Sequence, residues 1–185
     1  MPASAFWSDR DRAAAEDARA VERALASNTP TAVRRAFEHL VHYHERRGVE
    51  RALDDDEHRR FMARVTEALR ERIDQVWDFV IDAKVDAQDA RDDEQFDASW
   101  RRSAIQLFLD HHADVLGAPV NEARRIGIAE DVELLDDELR RLGEAYGPLP
   151  DDELPRGLPR HHWWWWPAPL LGGPHERYPG WDEPR

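Results

Sequence analysis

The chain has 185 residues, with 39 acidic against 26 basic side chains and a formal charge of −13. That length holds one domain and a tail, the periodic recurrence of its apolar residues excludes global disorder, and the charge disfavours direct binding to nucleic acid or to an anionic membrane surface. Cysteine is absent, which excludes disulfides, thiolate nucleophiles and cysteine-held zinc or iron–sulfur centres.

The N-terminal run MPASAFWSDRDR reaches charged residues early, so no cleaved export signal is expected. The longest uncharged stretch, between Arg160 and Glu176, is broken by Pro167, Pro169, Pro174, Gly172 and Gly173. It is too short and too interrupted to span a bilayer, and the expected location is cytoplasmic. Lys84 is the sole lysine, against 25 arginines, and the acids divide into 22 Asp and 17 Glu. A GC-rich genome explains the arginines but not the aspartates, so the surface reads as that of a salt-loving organism, where concentrated salt screens mutual repulsion.

Between Gly48 and Gly117 there is no glycine or proline, and the composition favours helix. The first helix is expected over residues 9–26, with Ser8 as N-cap. A second begins at Thr29-Pro30 and ends at Gly48, with Val33, Phe37, Leu40, Val41 and His44 on one stripe. A third starts near residues 54–56 and continues to about Ala90. At ~1.5 Å per residue it would be ~55 Å long, so it must project, kink or break, and the acidic run of residues 86–97 is the expected turn. A fourth, over residues 99–116, carries Trp100, Ala104, Leu107, Phe108, His111 and Val115 on one face and Ile105 on another, which marks it as central. After a short helical piece, a last helix over residues 129–146 presents Val132, Leu135, Leu139, Leu142 and Tyr146 as a two-heptad seam, to close the bundle or to pair with another chain. The fold expected is an all-α bundle of about five helices over residues 1–147.

Residues 148–185 have a different character, an extended tail holding nine of the twelve prolines and five of the eight tryptophans. Trp163, Trp164, Trp165, Trp166 and Trp181 would be exposed if the tail were free, an arrangement soluble proteins rarely tolerate. They are expected to dock on the chain's own bundle, on a sister subunit or partner protein, or else on a membrane surface or sugar ligand, and tryptophan is favoured at such contacts.

The nine histidines raise a metal hypothesis. The Glu-x-x-His pairs of di-iron bundles do not occur, Asp55-x-x-His58 being a near miss, and neither does the His-Glu-x-x-His helix. His39 and His42 fall on a polar face. His44 and His111 stand out because each sits within an apolar stripe, where an imidazole bonds a buried acid, lines a pocket or binds a metal with Asp110 or Asp114 nearby. The arginine doublets sit among acids, so intrahelical ion pairs explain them. Lys84 is expected to snorkel at the surface.

The preferred reading is a non-catalytic helical interaction protein, an accessory subunit or assembly factor, whose partner is engaged through the Trp/Pro tail or through the helix of residues 129–146. The alternative is a metal- or small-ligand-binding bundle, with or without catalysis, built around His44 and His111. No catalytic residue is assigned and no cofactor is favoured.

Overall fold

The apolar stripes fold as six helices: α1 (Ala3–Ala26), α2 (Ala32–Arg47), α3 (Asp56–Arg70), α4 (Ile73–Asp89), α5 (Gln95–His112) and α6 (Glu122–Tyr146). The computed structural model describes residues 3–47, 56–117, 121–150, 153–155, 157–159 and 161–165, with backbone alone for 3–12 and 47. No strand occurs among them, and no helix is long and apolar enough to cross a membrane.

Helices α1 and α2 form a hairpin about the turn at Thr29-Pro30, where the Ser27 hydroxyl donates to the Ala24 carbonyl at 2.6 Å and closes the end of α1. Val21 and Leu25 pack with the α2 stripe of Val33, Phe37, Leu40 and Val41 in one buried cluster. The helix expected from about residue 54 to Ala90 does break, but at Glu71-Arg72, without glycine or proline, and the chain turns again after Asp89 within the acidic run. At the break the Arg72 N–H donates to Leu69 O at 3.0 Å, a tightened last turn. The Arg72 guanidinium takes the Ala68 carbonyl at 3.2 Å, which satisfies the acceptor that the break leaves over. Leu69 and Ile73, on either side of the break, are both buried.

The short helical piece and the last helix expected after Pro119 are one helix, α6. Gly127 does not interrupt it. A Cβ there would lie 2.9 Å from Trp77 Cε2 and closer still to Cζ2, so the glycine makes room for the α4 indole. Trp77 Nε1–H donates to Asp131 Oδ2 at 3.0 Å, and Lys84 Nζ donates to Asp131 Oδ1 at 2.5 Å. Lys84 therefore does not snorkel; it is clamped between α4 and α6, mostly out of solvent. The α6 seam of Val132, Leu135, Leu139 and Leu142 faces the core, and Tyr146 lies exposed at its end. Among the described residues, five of the doublet arginines pair within their own helix, as Arg125 with Glu122 and Arg141 with Glu138, whereas Arg46, Arg101, Arg102 and Arg124 reach acids on another helix.

Helix α5 is central, with Ala104, Leu107 and Phe108 buried on one side, Ile105 buried on another, and Ser99 and Ser103 buried as well. The chain leaves α6 at Gly147, whose φ of +86° favours glycine and whose N–H caps the Gly143 carbonyl. Gln95, buried at the start of α5, donates to the Gly147 carbonyl at 3.2 Å. From there the chain runs back over the bundle, and Leu149, Leu158, Trp164 and Trp165 join the same core as the helices.

Candidate functional site

The C-terminal strap is fixed at one hydroxyl. Ser103 projects from α5 beneath a 3₁₀ turn of Trp163–Trp165, and its Oγ accepts the Trp164 Nε1–H at 3.0 Å and the Trp165 Nε1–H at 2.8 Å. The same oxygen lies 3.1 Å from His162 Nδ1. A serine hydroxyl offers two lone pairs and one proton. With both lone pairs given to indoles, the proton goes to His162 Nδ1, so His162 carries its own proton on Nε2. That nitrogen is buried and has no hydrogen-bond partner. Burial holds the His162 pKa down at about 3, with smaller contributions from His161, Arg102 and His111.

The indoles are held by more than hydrogen bonds. The Arg102 guanidinium lies 4.3 Å from the centre of the Trp164 ring, and Arg140 lies 5.0 Å from that of Trp163. Arg102, itself buried, reaches α6 through a two-point pair, Nε to Asp136 Oδ1 at 2.6 Å and Nη2 to Oδ2 at 3.2 Å. Trp165 meets Phe96 edge to face at 5.3 Å. Trp164 and Trp165 are thus covered by this chain's own helices, while Trp163 is partly buried. Trp166 and Trp181 lie outside the described residues.

Upstream, Gly157 presses against the end of α2. A Cβ on it would sit 2.6 Å from the Glu45 carbonyl carbon and closer still to its oxygen, so only glycine lets the strap lie this low. Beside that contact a cleft with a volume of 540 Å³ opens between α2, α4, α5 and residues 153–155 of the strap. Its apolar wall is Phe79, Phe96 and Trp100. Its charged lining holds four carboxylates against two guanidiniums. Arg34 is paired with Glu38, and Arg101 turns to Asp86 outside the cleft. Among the described residues, Asp97 and Glu153 have no cationic partner. His42, expected to face water, packs its ring 4.7 Å from that of Trp100 at this wall.

A second feature lies at the other end of α5, where four histidines from three helices gather. The rings of His44 and His111 stack 4.8 Å apart and 8° from parallel. His58, on α3, accepts or donates at 2.5 Å with the Tyr43 hydroxyl, and His112 Nδ1 lies 2.7 Å from the Thr66 hydroxyl. Thr66 gives its proton to the Met62 carbonyl at 3.0 Å, so His112 donates from Nδ1 and keeps an unpaired, buried Nε2. Desolvation first, and the neighbouring imidazoles second, push His44 well below the ordinary imidazole value and His112 to about 4. The structure thus brings His44 and His111 together. However, near-parallel rings aim their in-plane lone pairs along separate planes, and the pair is not poised to share one ion.

The chain matches no protein-family model, no curated protein and no solved structure. Its chemistry must therefore be read from these groups. The sequence reading missed Ser103, Gly157 and the strap's wall on the cleft. A signal for the first was present: Ser99 and Ser103 stand four apart on a helix otherwise apolar around two of its sides.

Proposed function

We propose that the protein is a non-catalytic binding module in which the helices are the scaffold and the C-terminal strap completes a cleft for a small amphipathic cation. The observation that carries this reading is the cleft's composition, a wall of Phe79, Phe96 and Trp100 beside the unneutralised carboxylates of Asp97 and Glu153. Aromatic faces attract a cation through their ring quadrupoles, and unpaired carboxylates favour the same charge. Covering Trp164 and Trp165 from within the chain meets the demand that bulky indoles leave water, and no partner is required for those two rings. A partner-facing role for the tail then rests on Trp166 and Trp181.

Ligand-observed nuclear magnetic resonance with a matched pair of probes tests the reading. An arylalkylamine should bind and the arylalkanoate of the same length should not. Combining Asp97→Asn with Glu153→Gln should abolish the preference. Equal or stronger binding of the acid would defeat the proposal.

A further inference from the structure

We infer that Asp110, His161 and His162 form a site for a divalent transition-metal ion of the zinc class. One carboxylate oxygen of Asp110 and one ring nitrogen from each histidine lie within 4.8 Å of one another. Two imidazoles and a carboxylate are the donor set such ions favour, and three protein ligands leave a position open to water or to a small ligand. His161 Nε2 already lies 2.9 Å from Asp110 Oδ2. The nitrogen that His162 has to offer is Nε2, since Nδ1 lies against Ser103, and Nε2 is buried without a partner.

Ring orientation separates this cluster from the stacked pair of His44 and His111. The His161 and His162 rings are 77° apart with centres 4.8 Å from each other. Planes that cross share a line, and an ion on that line lies in the plane of both rings. Asp110 and His161 are exposed, which provides the entry path, while His162 supplies a rigid inner ligand.

Capture has a consequence at Ser103. To bind through Nε2, His162 must carry its proton on Nδ1 instead, a tautomer shift that conserves the proton. The Nδ1–H then points at an oxygen already accepting two indole N–H groups, so an indole hydrogen bond must lengthen. Zinc binding at this site is therefore felt by Trp164 and Trp165, although neither touches the ion.

The test titrates zinc chloride into the chelator-stripped, full-length protein, following heat and tryptophan emission together. One ion per chain should bind saturably, with a change in emission. His161→Ala and Asp110→Asn should each weaken binding on the order of tenfold or more. His39→Ala, on α2, should not weaken it. Both cluster substitutions are at exposed positions, and unchanged far-ultraviolet circular dichroism will show that the variants fold. Absence of saturable binding, or binding equally tight in both variants, would overturn the site. Binding that leaves the tryptophan emission unmoved would also overturn it, because His162 would then not be a ligand.

Discussion

Ser103 and His162 share one proton in a fixed sense: the serine donates and the histidine accepts, because two indoles have taken both serine lone pairs. A single oxygen on α5 thereby holds three aromatic rings of the strap, those of His162, Trp164 and Trp165, and sets an imidazole tautomer. The docking of the strap therefore depends on the Ser103 hydroxyl.

Replacing Ser103 with alanine removes only that oxygen, but it leaves two indole N–H groups and one imidazole nitrogen buried without partners. Each such group costs about 1–3 kcal/mol, and the three share one site, so the total will fall short of their sum. Urea denaturation should show a loss of at least about 2 kcal/mol. Ser27→Ala, at a part-exposed turn, should cost about 1 kcal/mol or less.

Stability should fall with pH below 6.5. His112 and His162 are neutral in the folded chain, with pKa values of about 4 and about 3 against an ordinary 6.5. The unfolded chain therefore binds protons first as the pH drops. The contribution of each histidine is fully present above 6.5 and is lost as the pH falls toward its folded value. By pH 5, where most carboxylates are still ionised, each should have removed about 2 kcal/mol. Chemical denaturation at pH 7 and pH 5 measures the difference, and His112→Gln should flatten the slope.

Gly127→Ala should force the Trp77 indole out of its seat on α6. Overpacking of this kind costs about 1–3 kcal/mol. Because Trp77 and Lys84 converge on Asp131, the same variant should loosen that clamp. Thermal unfolding should show the loss, whereas Gly117→Ala, facing only the Asp114 carbonyl at 3.3 Å, should be far milder.

Helix content was legible in the sequence because the stripes at Val33–Phe37–Leu40–Val41 and Val132–Leu135–Leu139–Leu142 repeat at helical spacing and are buried as that spacing requires. The central place of α5 was legible for the same reason, since Ile105 and Leu107 point to different sides. The break at Glu71-Arg72 was not, because no breaker residue marks it; tertiary packing imposes it, and a side-chain guanidinium repairs the lost bond. The joining of two helical pieces into α6 was hidden by Gly127, which serves Trp77 rather than a helix end. At the site, the stripes singled out His44 and His111, which do meet. Asp110, His161 and His162 were invisible as a group, since 51 positions separate Asp110 from His161. No local period reports a contact across that distance.

Gly157→Ala should peel the strap from α2, since the added methyl group has nowhere to go beside the Glu45 carbonyl. The cleft would lose its wall at residues 153–155. An overpacking cost of about 1–3 kcal/mol is expected in the unfolding free energy, with a red shift of tryptophan emission and weaker binding of the amine probe.

Hydrogen exchange at the indole nitrogens of Trp164 and Trp165, followed by nuclear magnetic resonance in the monomer, reads strap docking at the atoms that make it. Slow exchange of both N–H groups, lost in Gly157→Ala, is the result expected of a strap bound to its own bundle through Ser103. Exchange as fast as that of free indole in the intact monomer would mean that the strap does not dock and that the cleft has no such wall.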